Sequence, residues 1–146
     1  LLLTLMDGTN LLFRDPRRFG LITLGNTQEL AHHPLFKSMG PEPLEKAFSK
    51  HYLCAALRHK NTVIKTAIMD QKLIVGVGNI YASESLFLAK IDPRRKAKSL
   101  TEQEAARLCA AIKKVLKSAI KSGGSTLRDY VRSTGDSGYF QHHFQV

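Results

Sequence analysis

The feature that most constrains this chain is a glycine-rich junction between two helical stretches, with the sequence Leu73-Ile-Val-Gly-Val-Gly-Asn-Ile-Tyr-Ala-Ser-Glu84. Glycine permits backbone angles and close approaches that other residues rarely adopt. The first turn of the helix that follows leaves N–H groups without acceptors and carries a partial positive charge. The junction therefore predicts a pair of helices whose connection can bind an anion, and phosphate suits a helix N-terminus.

The charge of the chain narrows the choice of anion. Its 146 residues include 22 Lys plus Arg against 12 Asp plus Glu, a net charge of +10. This balance favours a polyanion such as DNA over a small acidic metabolite, although a solvated cationic surface would give the same balance. The hydrophobic share of 43% allows a packed core, and no apolar run approaches the ~20 residues that cross a bilayer. We expect a soluble intracellular protein with no membrane partner.

The cysteines and histidines do not form a pattern typical of a metal site. Cys54 and Cys109 are far apart and lack a CxxC spacing, so buried reduced thiols are expected. The pairs His32-His33 and His142-His143 are adjacent in sequence, and adjacent side chains on a strand or helix point in different directions. We predict no metal ligand and no cofactor within these residues.

The first part of the sequence predicts β-strands. Leu1–Met6 and Leu11–Arg14 flank Asp7-Gly-Thr-Asn10, and Asp-Gly between apolar runs is typical of a hairpin. Phe19–Leu24 is predicted as a further strand after the Pro16 turn. Three such strands cannot bury their apolar faces alone, so we expect them to belong to a larger sheet.

The middle of the chain predicts helices. Apolar residues recur at helical spacing from about Leu44, and Thr62 can cap a helix from Val63 to about Asp70. A helix from about Asn79 to Lys90 follows, and the Thr101–Glu104 capping box opens the longest helix, which Gly123-Gly124 ends. The side chains expected to be buried are Phe48, Tyr52, Leu53, Ala56, Leu57, Val63, Ile64, Ala67, Ile68, Ile80, Leu86, Phe87, Leu108, Ile112, Val115, Leu116, Ala119 and Ile120.

Several sequence blocks carry a resemblance to a known family. They occur in a fixed order with suitable spacing, as Asp15-Pro-Arg-Arg-Phe-Gly20, Gly40-Pro-Glu-Pro-Leu44, Met69–Glu84, Gly123-Gly-Ser-Thr-Leu127 and Gly138-Tyr-Phe-Gln141. Together they resemble the bacterial formamidopyrimidine-DNA glycosylases, enzymes that remove 8-oxoguanine and ring-opened purines. One glycine-rich block would be weak support, but five ordered blocks are hard to obtain by chance, and the resemblance extends over nearly the whole chain.

The resemblance implies an α+β fold and a domain order. Residues 1–38 would be remnant strands of a β-sandwich plus a connector, followed at 39–124 by a mainly helical domain with a helix-two-turns-helix motif. Residues 125–146 would hold a lesion-capping loop and the lead-in to a zinc finger. In the family an N-terminal proline is the nucleophile, a glutamate follows it, and four cysteines bind one structural zinc. Residue 1 here is Leu and no CxxC occurs, so we expect an internal fragment without catalytic residues.

The resemblance also assigns phosphate binding to the glycine junction. Asn79 would bind the DNA backbone, with Gly78 and Tyr81 beside it, and the family places a DNA-contacting lysine at the position of Lys60. Lys65 is a further candidate. The residues alone leave open that glycine and asparagine only form a tight turn and that the lysines are only solvated.

Two further segments receive roles from the resemblance. Arg17 would face the orphaned cytosine while Phe19 enters the base stack as a wedge, which offsets the cost of unstacking. A core position for Phe19 in the Phe19–Leu24 strand is the alternative. The lesion-capping loop would use Ser133, Gly135, Gly138 and Tyr139, although a Gly/Ser/Asp cluster by itself predicts only a loop.

The resemblance implies that the parent protein is a bifunctional DNA glycosylase and AP lyase acting through a Schiff base. Its expected partner is damaged double-stranded DNA. We expect a monomeric parent in the bacterial cytoplasm, associated with the nucleoid, and a fragment that is catalytically silent. Two alternatives stay open: the related endonuclease VIII branch, which acts on oxidised pyrimidines, and a non-catalytic nucleic-acid-binding module.

Overall fold

The computed structural model describes residues 1–16 and 18–123 of the chain. The chain divides into two compact units, Leu1–Phe36 and Lys37–Val146. A short antiparallel sheet lies in the first unit and packed helices lie in the second. The fold class is therefore α+β, as the sequence predicts.

The first unit contains the predicted hairpin. Strands β1 (Leu2–Thr4) and β2 (Asn10–Leu12) pair antiparallel, with Leu3 opposite Leu11. Gly8 makes the turn possible because its φ is +84° and its N–H donates to the Leu5 carbonyl at 3.0 Å. The strands are shorter than the sequence predicts, and their leucines are exposed.

The prediction of a strand at Phe19–Leu24 is wrong. Within the described residues β1 and β2 pair only with each other, and 19–24 has no regular secondary structure. A strand needs a neighbour for its N–H and C=O groups, so apolar sequence alone does not produce one. A 3₁₀ helix, Thr27–His32, follows with Asn26 as its cap, and then a short helix α1 (Pro34–Lys37).

The second unit is a helical assembly around one main hydrophobic core. It contains α2 (Lys50–Leu57), α3 (Ile64–Met69), α4 (Asn79–Ala89), a 3₁₀ turn (Ala97–Ser99) and α5 (Glu102–Lys121). Helix α5 packs against α2 and α4, and α3 packs against α4. The largest fully buried apolar side chains are Phe48, Leu53, Leu57, Ile64, Ile68, Ile74, Val77, Leu86, Leu108 and Ile112.

The starts of the first two large helices differ from the prediction. Helix α2 begins at Lys50 rather than near Leu44, because the Ser49 hydroxyl caps it by accepting the Tyr52 N–H at 3.1 Å. Thr62 does not cap α3, because the helix begins at Ile64 and Thr62 therefore lies one residue before the cap position. Val63 therefore takes the cap position without a side-chain hydrogen bond.

Two side chains expected in the core lie at the surface. Phe87 on α4 is 53% exposed and Ile120 on α5 is 67% exposed. On α4 the neighbouring residues Leu86 and Ala89 are buried instead. On α5 the buried residues are Val115 and Ala119. Helical periodicity places residues on a helix but does not fix how wide the buried face becomes after packing.

The predicted capping box of α5 is present. Thr101 Oγ1 accepts the Glu104 N–H at 3.2 Å, and Glu104 Oε2 accepts the Thr101 N–H at 2.9 Å. Both guanidinium NH groups of Arg95 also donate to the Glu104 carboxylate. The Arg95 guanidinium, with the Thr101 N–H, lowers the pKa of Glu104 to about 2.

This carboxylate gives the helical unit a defined acid sensitivity. Because the pKa of Glu104 is lower when folded than its ordinary value of 4.5, the pairing contributes stability above pH 4.5 and loses it as the pH falls toward about 2. Glu104→Gln keeps a capping side chain but removes the charge, so its urea midpoint should depend less on pH across that window than the wild-type midpoint. Parallel curves for the two proteins would contradict this assignment.

Candidate nucleic-acid interface

The glycine junction forms two consecutive turns between α3 and α4, at residues 71–73 and 75–76. Asp70 ends α3, and its carbonyl accepts the N–H groups of Leu73 at 2.8 Å and Ile74 at 3.1 Å. Gly76 has a φ of +76°, a conformation that a side chain would strain. The arrangement is a helix, two turns and a helix, as the sequence predicts.

Apolar side chains of the two turns are buried in the hydrophobic core of the helical unit. Leu73, Ile74 and Val77 are buried, whereas Gly76 and Gly78 are exposed. The Tyr52 hydroxyl on α2 donates to the Leu73 carbonyl at 2.9 Å. The apolar side chains and this bond hold one side of the junction in place, and the other side faces solvent.

The side chain of Gln71 joins the two turns. Its Oε1 accepts the Gly76 N–H at 3.0 Å, and its Nε2 donates to the carbonyls of Met69 at 3.2 Å and Val77 at 3.4 Å. Its backbone carbonyl also accepts the Gly40 N–H at 2.8 Å. One residue thus connects the end of α3, the second turn and the Gly40 loop.

The N-terminus of α4 presents backbone donors to solvent. Gly78 is the cap residue, has an extended conformation and receives no side-chain cap. In the described part of the chain, the N–H groups of Gly78, Asn79 and Ile80 donate to no protein acceptor. Asn79 is exposed at the first helical position. These donors and the positive end of the helix dipole can bind a phosphate.

The predicted DNA-binding lysines lie in different surroundings. Lys60 Nζ is 3.2 Å from Asp70 Oδ2, so it stands beside the start of the turns. The pKa of Asp70 is lowered by the N–H of Lys72 and then by Lys60. An ammonium has further donors beyond one ion pair, so Lys60 can still reach an anion. Lys65 is half-buried and lines a cavity of about 540 Å³ beside Phe87.

Tyr81 is less accessible than the other predicted site residues on α4. Its ring is half-buried and packs against both hydrophobic clusters of the helical unit. Its position one helical turn from the cap fits support of the helix start rather than a fully exposed contact. The structure places Gly78, Asn79 and Tyr81 within one helical turn.

The turn after β2 exposes an aromatic ring. Asp15 organises this turn, because its carbonyl accepts the Arg18 N–H at 3.2 Å and its carboxylate accepts the Gly20 N–H. Arg18 has a φ of +55°, and Phe19 is 81% exposed. The alternative that Phe19 is a core residue of a strand is therefore wrong. Arg17 lies outside the described residues.

Three residues that position these sites received no role in the sequence analysis. Asp15 and Gln71 act through side-chain bonds to backbone N–H groups five residues later. Gly40 touches the junction so closely that a Cβ there would lie 2.5 Å from the Leu73 carbonyl carbon. The signal that could have identified all three is their place in the family blocks, which begin at Asp15 and Gly40 and include Gln71 between Met69 and Glu84.

The lesion-capping residues Ser133, Gly135, Gly138 and Tyr139 lie outside the described residues.

Over residues 1–16 and 18–123, no His, Cys, Asp and Glu side chains gather in a group that could hold a metal ion. Cys54 lies on α2 and Cys109 on α5, so neither belongs to a zinc-ligand cluster in this region. No helix of the described chain is long and apolar enough to cross a membrane.

The hairpin unit and the helical unit define an α+β protein with a helix-two-turns-helix domain. A family model, the formamidopyrimidine-DNA glycosylase H2TH domain, matches residues 39–131. The chain belongs to this family.

Relatives and solved structures agree with the assignment. The chain is 52% identical to a formamidopyrimidine-DNA glycosylase of a Wolbachia from Drosophila simulans and 51% identical to one of Neisseria meningitidis, over 96% of its length. It spans about half the length of these relatives, 51% and 50%. The crystal structure of the MutM (Fpg) protein of Thermus thermophilus matches 94% of the chain with a TM-score of 0.83 and 43% identity, over 53% of that protein.

Another solved structure contains DNA. It is a complex between the Lactococcus lactis Fpg and DNA with an abasic site, and it matches 82% of this chain with a TM-score of 0.74 and 37% identity. The match covers 44% of the Lactococcus protein.

Proposed function

We propose that this chain is the DNA-binding part of a base-excision-repair glycosylase and AP lyase that removes oxidised purines from damaged double-stranded DNA. The observation that carries the proposal is the set of N–H groups at Gly78, Asn79 and Ile80, which have no acceptor among the described residues and follow a hydrogen-bonded turn in a chain of net charge +10. The names of the relatives and the DNA in the Lactococcus complex support it.

In this proposal the junction binds the sugar-phosphate backbone. The N–H groups and the Asn79 amide bind a phosphate, and Lys60 and Lys65 add positive charge on the same helical unit. Such contacts fix the position of the protein on DNA without reading its sequence. Gly78 allows a ligand to approach the backbone closely because it has no side chain, and the space that a Cβ would take is open. Tyr81 supports the helix behind it.

The hairpin unit supplies the wedge. Phe19 enters the gap left by an extruded base and Arg17 bonds to the opposite, unpaired base, while Ser133, Gly135, Gly138 and Tyr139 close over the lesion. The exposure of the Phe19 ring supports this role. The corresponding division is strands and connector at 1–38, the helical DNA-binding domain at 39–124 and the lesion loop at 125–146.

The proposal extends to the whole protein. Base extrusion precedes attack by an amine, and a Schiff base then divides the reaction into easier steps. We place that amine and the structural zinc outside the 146 residues, in a monomeric parent that works in the bacterial cytoplasm at the nucleoid. Damaged double-stranded DNA is the partner.

The wedge gives the sharpest test against a non-catalytic nucleic-acid-binding module. Arg17→Ala combined with Phe19→Ala should reduce the preference for a duplex with an abasic analogue over an intact duplex by about tenfold, because stacking that offsets base extrusion is lost. Fluorescence anisotropy with both duplexes measures this ratio. Leu24→Ala, which removes another exposed apolar side chain from the same unit, is the matched control.

The two functions predict different results. A wedge variant that loses affinity for both duplexes equally would favour a general nucleic-acid-binding module. If the ratio of affinities for the abasic-analogue duplex and the intact duplex falls in the wedge variant but not in Leu24→Ala, the result supports the glycosylase proposal.

A further inference from the structure

We propose that Gln71 is the positioning residue of the phosphate site: it fixes the second turn so that the N–H groups of Gly78, Asn79 and Ile80 point together at one phosphate. This inference rests on the proposed function. Gln71 itself makes no contact with DNA in this proposal.

The side chain of Gln71 forms hydrogen bonds with both a backbone N–H and a backbone carbonyl of the second turn and the residue after it. Its Oε1 accepts the Gly76 N–H at 3.0 Å, so that donor is not available to a ligand. Its Nε2 donates to the Val77 carbonyl at 3.4 Å, directly before the cap residue Gly78. The N–H groups of Gly78, Asn79 and Ile80 have no acceptor among the described residues. In this proposal Gln71 therefore excludes the Gly76 amide from the phosphate site and leaves the amides at the start of α4.

The same side chain ties the turn to α3. Its Nε2 also donates to the Met69 carbonyl at 3.2 Å, in the last turn of that helix. A link from α3 to the residues before α4 fixes the start of α4 relative to the preceding helix. Preorganised donors bind an anion better than mobile donors because no ordering is needed on binding.

A neutral amide side chain at this position can both accept the Gly76 N–H and donate to the carbonyls of Met69 and Val77. Alanine removes the acceptor and the donor together. Glutamate would still accept the Gly76 N–H but could not donate to Met69 or Val77, since an ionised carboxylate only accepts. Gln71 is exposed, so either replacement leaves the core intact and its effect should concentrate on the turn.

The test measures the affinity of the 146-residue chain for a duplex with a tetrahydrofuran abasic analogue at several salt concentrations. Gln71→Ala and Gln71→Glu should each weaken binding by about tenfold, the loss expected when a few hydrogen bonds cease to be ordered. Gln103→Ala, which truncates an exposed glutamine on α5, is the matched control and should bind like the wild type.

Two readouts separate positioning from general destabilisation. The slope of log affinity against log salt should stay unchanged in Gln71→Ala, because no cation is removed, whereas Lys60→Ala should lower it by about 0.9. The double variant Gln71→Ala/Asn79→Ala should be no weaker than the worse single variant, because both changes disable one site.

The outcomes are distinct for the two proposals. Binding of Gln71→Ala within about twofold of the wild type, or additive effects in the double variant, would overturn the role of Gln71 and leave the phosphate site standing. A wild-type chain that does not bind the duplex, or that binds as well after Asn79→Ala, would overturn the phosphate site, and the role of Gln71 with it.

Discussion

Replacing Phe48 by alanine is expected to lower the free energy of unfolding of the helical unit by about 3–5 kcal/mol, the range for removing a buried aromatic side chain. Phe48 is fully buried and lies directly before Ser49, the cap residue of α2. Its ring packs edge-on against Tyr52 with centroids 6.2 Å apart, and the Lys113 ammonium lies 5.7 Å from its centroid. The variant would leave a cavity where α2 meets α5 and would remove these ring contacts.

Urea unfolding followed by circular dichroism measures this loss. Ile120→Ala is the matched control, because it also removes a large apolar side chain but from the exposed face of α5, and it should stay within about 0.5 kcal/mol of the wild type. The Phe48 change should also weaken DNA binding, since Tyr52 bonds to the Leu73 carbonyl at the junction. Equal stability of the two variants would show that Phe48 is not a core residue.

Replacing Gly40 by alanine is expected to cost about 3 kcal/mol, the upper part of the range for forcing extra volume into a packed site. A Cβ at this position would lie 2.5 Å from the carbonyl carbon of Leu73 and 2.8 Å from the Ile74 nitrogen. These are backbone atoms, so no side chain can rotate away to relieve the contact. The loop or the junction must move, and the bond from Gly40 N–H to the Gln71 carbonyl is strained or lost.

Because the clash falls between the two turns of the junction, Gly40→Ala should weaken both stability and DNA affinity. Gly25→Ala is the matched control, since a Cβ there meets nothing within 4 Å, and it should leave both quantities unchanged. The measurements are urea unfolding and anisotropy with the abasic-analogue duplex. Normal stability and affinity of Gly40→Ala would mean that this loop does not hold the junction.

The local features of the fold could be predicted from sequence because their causes are local. The hairpin depends on Asp7-Gly8, and the start of α5 depends on Thr101 and Glu104, which meet within one helical turn. The start of α4 follows from Gly78 and Asn79 in the same way. In each case the interacting groups are a few residues apart, so a short window contains the whole interaction.

Features that depend on distant partners could not be predicted. Phe19–Leu24 has apolar sequence but no strand to pair with, and Phe87 lies at the surface because Leu86 and Ala89 make the helix contact instead. Gly40 is required by the backbone of Leu73, which is remote in sequence. The spacing of apolar residues identifies a helix, but it does not predict the shape of the surface against which that helix packs.

The candidate site was predicted in part for the same reason. The proposed phosphate-binding position at Asn79 follows from the glycine pattern and the family resemblance. The role of Gln71 could be recognised only in the structure. Its exposed polar side chain belongs to no periodic sequence pattern, and it acts through hydrogen bonds to three backbone groups. The ion pair joins Lys60, which follows α2, to Asp70 at the C-terminal end of α3, and no sequence pattern predicts it.

The central claim is that backbone N–H groups at the start of α4 hold a DNA phosphate. Two-dimensional NMR of the labelled chain, titrated with a duplex containing the abasic analogue, tests it most directly. The account predicts that the largest amide shifts occur at Gly78, Asn79 and Ile80 and that they disappear in Asn79→Ala. Unchanged signals at these residues, with shifts confined to the exposed lysines of α5, would contradict it.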